Sequence, residues 1–254
     1  MTLGGRTIDF RGIVQAVRLE RDTVPSFARY PFSVPAVRAL DTLELDAKAT
    51  FLIGENGSGK STLIEAIAIA AGFNPEGGSR QLRFAARRSE SELHRHLRLI
   101  RGPRRVDGFF LRAESFFNVA TQVENLGALG SYGGVSLHEQ SHGEAFLALA
   151  EHRFGGNGLY ILDEPEAALS PQRQLSLLAL LFDLVENRRS QLLIASHSPI
   201  LMAYPGATIY QLGSDGITQV RYEQTEHYQI TRDFLSDPAR FFKHLFPRGD
   251  GEPQ

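Results

Sequence analysis

The chain has no cysteine. That excludes disulfides and thiolate metal sites, and it leaves the compartment open. Neither charge dominates: the formal net charge is −2. A general polyanion binder is thereby disfavoured, although a local basic patch is not. Lysine is scarce, standing only at Lys48, Lys60 and Lys243, and arginine supplies the other basic residues. That skew reads as coding bias, so a cluster of arginines carries less weight here than in a balanced sequence. Long apolar runs are missing too. Met1–Arg11 holds no signal-peptide core, and the longest apolar stretch lies near Leu175–Val185. It falls well short of the roughly 20 residues that cross a bilayer. The expectation is a soluble, cytoplasmic protein without membrane insertion.

With 254 residues, 42% of them hydrophobic, the chain can build one α/β domain, or a domain plus a subdomain. Ile8–Leu19, Leu43–Leu45 and Ala49–Ile53 read as strands, with Pro25, Pro31 and Pro35 punctuating the loop between the first two. Thr62–Ala71 is apolar at helical spacing and ends at Gly72. From Pro75 to about Val106 arginine prevails: Arg80, Arg83, Arg87, Arg88, Arg95, Arg98, Arg101, Arg104 and Arg105 face only Glu76, Glu90 and Glu92. Further strands are expected at Phe109–Arg112, Leu159–Leu162 and Gln191–Ser196, with a loop at Gly127–Gly134. Helices are expected at Glu144–Arg153 and Pro171–Glu186. A hairpin follows at Ala207–Leu212 and Ile217–Arg221, around Ser214-Asp215-Gly216. His227–Phe246 reads as helix broken near Pro238, with Phe234, Phe241, Phe242 and Phe246 as core packing. Strands alternating with helices fit a doubly wound α/β core. The expected organisation is a core of residues 1–74 and 155–247. A mainly helical subdomain of residues 75–154 is inserted in it, and a disordered tail of residues 248–254 follows it.

Gly54-Glu55-Asn56-Gly57-Ser58-Gly59-Lys60-Ser61, with Thr62 after it, fits the phosphate-loop pattern without a mismatch. Glycines let backbone N–H groups curl around phosphates, and the following helix turns its N-terminus to the anion. Lys60 would reach the β- and γ-phosphates and the Ser61 hydroxyl would ligate Mg²⁺. An apolar strand before the loop and a helix after it make a chance glycine-rich turn a poor explanation.

Leu159–Leu162 runs into Asp163-Glu164-Pro165. Asp163 would hold Mg²⁺ through water, and Glu164 would polarise the attacking water as general base. Acids often cap strands, but their place about a hundred residues after a phosphate loop strengthens the reading. Gln191–Ser196 ends at His197-Ser198-Pro199. A lone histidine is usually structural; at the edge where open α/β sheets bind ligands, His197 is assigned to the γ-phosphate.

These three elements, in this order, resemble the ABC-class ATPases. The resemblance rests on Gly54–Thr62, Leu159–Pro165 and Ile194–Pro199. It implies a P-loop NTPase fold over most of the chain, with ATP and Mg²⁺ as ligands. The family's signature loop reads Leu-Ser-Gly-Gly-Gln, and Gln140-Ser141-His142-Gly143-Glu144 stands in its place here. By resemblance, Ser141 and Gly143 would contact the γ-phosphate bound by a second protomer; a helix cap formed by Ser141 and Glu144 is the other reading, and both can hold. The family's glutamine loop is not matched: Arg112-Ala113-Glu114-Ser115 stands there, with Glu114 as the substitute metal-sensing acid or simply a surface acid. The loop after the acids, usually ending Leu-Asp, reads Ala168-Leu169-Ser170. Tyr30 and Phe32 are candidates to stack on adenine, with core packing the stronger reading. More closely, Gly108–Thr121 and the Ser-His-Gly-Glu run resemble small stand-alone bacterial ABC-like ATPases.

Three functions fit. The first is an ATP-gated switch, a homodimer closed by ATP that acts on a client protein or nucleic acid. Only about eighty residues part Lys60 from Ser141, without sustained heptads, so a long coiled-coil arm is excluded. The alternative is the energy subunit of a membrane transporter, which needs a separate spanning protein. The third is a non-catalytic nucleic-acid module resting on Arg80–Arg105. An AAA+ motor or a kinase fits the later motifs less well.

Overall fold

Buried parallel strands need apolar side chains on both faces, and three stretches of this chain supply them. They are β3 (Ala49–Ile53), β7 (Gly158–Asp163) and β8 (Gln191–Ala195), each buried along its whole length. With β4 (Gly78–Ser79), β6 (Asp107–Arg112), β9 (Thr208–Gly213) and β10 (Gly216–Val220) they form a seven-stranded sheet in the order β10-β9-β3-β8-β7-β6-β4. Strands β9, β3, β8, β7 and β6 run parallel, while β10 and β4 are antiparallel to their neighbours. A second sheet, antiparallel and three-stranded, joins β2 (Thr42–Glu44), β1 (Val14–Leu19) and β5 (Leu97–Arg101). The computed structural model describes residues 12–79, 91–102, 107–125 and 141–246, with Gly130, Ser136 and His138 between them.

Two cores lie on opposite faces of the large sheet. Alternation along β3 sends Phe51 and Ile53 to one face and Leu52 to the other. Phe51 and Ile53 share a core with α4 (His142–Arg153) and α5 (Pro171–Glu186) through Phe146, Leu149, Leu177 and Leu181. Leu52 joins α2 (Lys60–Ala70) and the small sheet through Leu63, Ile67, Val17 and Leu43. The bounds of α5 match the expected Pro171–Glu186, for physical reasons: Ser170 caps the start, Pro171 takes the first position, and the buried positions 177, 181, 184 and 185 keep one face. The remaining helices are α1 (Pro35–Arg38), α3 (Phe116–Asn125), α6 (Pro199–Met202), α7 (Glu226–Ser236) and α8 (Pro238–Leu245).

One buried amide ties the two sheets together. Gln191 Oε1 accepts from the N–H groups of Ile13 and Val14, at 2.8 and 2.9 Å. Its Nε2 donates to the carbonyls of Val14 and Asp46, both at 2.7 Å. Both donors and both lone pairs of the amide are therefore used. Another buried network closes the far end of β7: Tyr160 Oη donates to Asp107 Oδ2 and accepts from Gly156 N–H, each at 2.8 Å.

The doubly wound α/β expectation holds, but the division at residues 75–154 does not follow the sheets. Strand β6 of that stretch sits inside the large sheet beside β7, and β5 pairs with β1. The arginine-rich stretch falls mostly outside the described residues, as do Gly127–Gly134 apart from Gly130, Ile8–Arg11 and the tail 248–254. Of the described arginines, Arg98 lies 3.7 Å from Glu20 and Arg101 donates to the Ala70 carbonyl. The phenylalanines of α7 and α8 are not core. Phe234 packs edge-on against Phe241 and Phe242, Phe242 meets Phe246 at a tilt, and no residue of either helix is fully buried. Amphipathic pattern alone does not tell a face packed on the core from one packed on a neighbouring surface helix.

Replacing Gln191 with leucine leaves two backbone donors and two acceptors buried without partners. Each such group costs about 1–3 kcal/mol, so Gln191→Leu is expected to lower stability by about 3 kcal/mol or more, measured as a shift of the urea midpoint. A shift below about 1 kcal/mol would mean that the amide is not the tie between the sheets.

Candidate functional site

The parallel strands β3, β8 and β7 end side by side, and their carboxyl ends carry the residues singled out from sequence. Ser196 N–H donates to the Leu52 carbonyl at 3.2 Å and Glu164 N–H to the Ala195 carbonyl at 2.9 Å. The turn after β3, the His197 segment after β8 and the acids after β7 thus share one edge. In doubly wound sheets this is the edge where ligands sit.

Residues Gly54–Gly59 turn between β3 and α2, whose N-cap is Gly59. Gly54 has φ 146, and a Cβ there would collide with the Leu212 carbonyl. Gly59 has φ 99, and its Cβ would stand 2.5 Å from Val34 Cγ1. Both positions need glycine for backbone conformation and for space. Lys60 is buried, and its Nζ donates back to the carbonyls of Gly54 and Glu55, both at 2.9 Å. Burial lowers the Lys60 pKa, while Glu164, Asp163 and Glu166 pull it up. A cavity of about 450 Å³ opens beside the turn, lined by Gly54–Ser58, Gln211–Ser214, Pro35, Glu226 and His227.

Ser61, in the first turn of α2, donates from Oγ to Asp163 Oδ1 at 3.2 Å. Hydroxyl and carboxylate are hard oxygen donors of the kind that suit Mg²⁺. Among the described residues no group of three or more His, Cys, Asp or Glu could hold a metal alone, so a cation here would draw its other ligands from phosphate and water. Arg112, register partner of Asp163 across β6 and β7, places Nε 3.5 Å from Asp163 Oδ2 and Nη1 2.8 Å from Glu65 Oε2. Glu114 does not join them. Its side chain is 87% exposed and meets only the outer Nη2 of Arg112, at 3.4 Å. The turn after β6 points Glu114 to solvent, and Arg112 is the residue of that strand end that reaches Asp163.

Glu164 adopts the left-handed conformation, φ 51 and ψ 50. A non-glycine residue held there stores of order 1–3 kcal/mol. Its Oε1 lies 3.5 Å from His197 Nε2. His197 is fixed from behind, its backbone N–H donating to Glu166 Oε1, while Glu166 Oε2 accepts from Ser196 Oγ. On its other side, His197 Nδ1 lies 3.2 Å from His227 Nε2.

Residues 33–124, which include the phosphate loop, match the family model described as "AAA domain". Residues 129–203, which include the acids and His197, match the model described as "AAA domain, putative AbiEii toxin, Type IV TA system". Each covers less than half of the chain. Both matches are to AAA-domain models, and between them they take in the phosphate loop, the two acids and His197. No curated protein matches the chain. Solved structures similar to it include the SMC head domain from Thermotoga maritima, at 15% identity and TM-score 0.48, covering 82% of this chain and 99% of that one. Another is cbiO1 from Clostridium perfringens, part of the ABC transporter complex cbiONQ, at 17% identity and TM-score 0.48, covering 93% and 100%. Among the described residues no helix is long and apolar enough to cross a membrane.

Ser141 caps α4. Its N–H and Oγ both donate to Glu144 Oε2, and Arg173 donates to Ser141 Oγ and Glu144 Oε1. The Ser141 bonds, and then Arg173, hold the Glu144 carboxyl below its ordinary range. A Cβ on Gly143 would lie 2.7 Å from Arg173 Nη1 and 2.9 Å from the Ala168 carbonyl. The structure also separates the two aromatic candidates. Phe32 is fully buried against Phe27 and His96, whereas Tyr30 is 64% exposed and its hydroxyl lies 3.2 Å from Thr62 Oγ1. Arg112, Glu166 and His227 were not singled out from sequence. Arg112 carried one signal, its place at the end of a strand; the other two are recruited by pairing and packing.

Burial pushes the Asp163 carboxyl up from 3.8 to about 6 against the pull of Arg112, with Glu164 adding to the rise and the Ser61 bond opposing it. The folded pKa lies above the unfolded one. The neutral acid's relative benefit to the fold is therefore complete below pH 3.8 and is lost as pH rises through about 6. Asp163→Asn is then expected to stabilise the nucleotide-free protein at pH 7.5 by about 2–3 kcal/mol, with the gain vanishing towards pH 4. Urea midpoints at the two pH values check this; no gain at pH 7.5 would mean that Arg112 fully compensates the buried charge.

Proposed function

We propose that this chain binds Mg²⁺-ATP at Gly54–Thr62 and hydrolyses it, acting as an ATP-gated dimeric switch on a client protein or nucleic acid. The observation that supports this most is the convergence of Lys60, Ser61, Asp163, Glu164 and His197 on one sheet edge. ATP would take the backbone N–H groups of the loop, and Lys60 would leave the carbonyls of Gly54 and Glu55 for the β- and γ-phosphates. Tyr30, exposed beside Thr62, would stack on the base. Ser61 and Asp163 would hold Mg²⁺, which neutralises charge on the phosphates when bound. Glu164 would accept a proton from the attacking water, and His197 would donate to the γ-phosphate. In the second protomer Ser141 and Gly143, at the N-terminus of α4, would close over that phosphate.

Glu164→Gln is expected to retain ATP binding while lowering turnover by about 100-fold or more, and Lys60→Ala to lose binding. Light scattering on Glu164→Gln should show a doubled molar mass only with Mg²⁺-ATP. Turnover of Glu164→Gln at the wild-type rate would refute the assigned base; a monomer with ATP bound would refute the homodimeric switch.

A further inference from the structure

The His197 ring is met from outside the three motifs by His227, in the first turn of α7. The helix is seated against the segment that follows β8. Tyr222 Oη donates to the Pro199 carbonyl at 2.9 Å, and Thr225 caps α7 by accepting from Tyr228 N–H. This seat turns the His227 ring towards the phosphate loop, where it lines a cavity with Glu55, Asn56, His197 and Ile230. The His227 Nε2 to His197 Nδ1 distance is 3.2 Å, with ring centroids 5.4 Å apart.

Two imidazoles at that distance share one proton, and the rest of the site decides which ring carries it. If His197 donated from Nδ1, its Nε2 would be a bare lone pair facing Glu164 Oε1 at 3.5 Å. Nε2 is buried and makes no hydrogen bond among the described residues. A lone pair facing a carboxylate there, and an anionic phosphate when nucleotide binds, is repulsive. The reverse arrangement has no such conflict: His227 donates from Nε2, His197 accepts at Nδ1, and the His197 proton sits on Nε2, aimed at the acceptors. Burial, then His197 and Lys60, hold the His227 pKa below the usual histidine value, against Glu226 and Glu55, so His227 enters the pair as a neutral donor.

We propose that His227 is a positioning residue that fixes His197 in the Nε2–H tautomer facing Glu164 and the γ-phosphate. The proposal rests on the reading of His197 as a γ-phosphate donor. It adds that the donor is made by a residue of α7 and not by the sheet edge alone.

The test uses the full chain with ¹⁵N-labelled histidine and three variants. His227→Phe keeps a ring but removes the donor, His227→Gln restores a donor, and His197→Gln assigns the His197 signals. In nucleotide-free protein the imidazole ¹⁵N spectrum reports the His197 tautomer without any reference to hydrolysis. Expected are a pure Nε2–H signature in wild type and His227→Gln, and a mixture in His227→Phe. The ATPase kcat should fall about 10–100-fold in His227→Phe, with KM changed less than about threefold, and recover in His227→Gln. An unchanged His197 tautomer in His227→Phe would overturn the proposal, as would a His227→Gln variant no better than His227→Phe. If the tautomer follows His227 while wild-type protein hydrolyses no ATP, positioning stands and the hydrolytic reading of the site falls.

Discussion

Two backbone hydrogen bonds hold the reactive edge in line, from Glu164 N–H to the Ala195 carbonyl and from Ser196 N–H to the Leu52 carbonyl. They continue the parallel register of β3, β8 and β7, in which Leu52 faces Ala195 and Ala195 faces Asp163. A slip of one residue in either pairing would turn every side chain at that edge to the opposite face. Burial of all three strands on both faces makes such a slip expensive. The two hydrophobic cores therefore set the geometry of a polar site built at their rim, where Leu212 of one core lines the cavity beside the phosphate loop.

The site itself is poorly matched to its surroundings as a folded object. Lys60, Asp163 and Arg112 are taken out of water close together, and Glu164 is bent into a left-handed conformation. In the nucleotide-free protein the charges settle on substitutes: Lys60 on two carbonyls, Asp163 on Ser61 and Arg112. Groups placed for a ligand and for each other at once are a common source of lost stability at functional sites. The sheets compensate elsewhere, and the fully satisfied Gln191 amide is the clearest instance.

How much of this was legible in sequence depended on the range of the interaction. The phosphate loop is a local device, spelled out by glycines whose positive φ values the structure confirms at Gly54, Gly57 and Gly59. The bounds of α5 are equally local, fixed by a cap and a proline. The outward orientation of Glu114 was not legible, because the side on which a residue leaves a strand end depends on the turn that follows. Arg112 gained its place only through the pairing of β6 with β7. His227 lies 30 residues from His197 and meets it through the seating of a helix. Tyr30 and Phe32, two residues apart, could not be told apart until packing buried one and exposed the other.

The posture of Lys60 has a consequence for which ligands the loop accepts. Its ammonium already closes two good hydrogen bonds to the very turn that would cradle an anion. The loop is thus a latched structure and not an open receptor, and entry of any anion is an exchange. A small anion offering one contact leaves the Gly54 and Glu55 carbonyls stranded with little in return. A chain of phosphates, which meets the lysine and the loop's N–H groups together, replaces what it displaces. Under the proposed function, the resting conformation of this one side chain would favour polyphosphate over free phosphate.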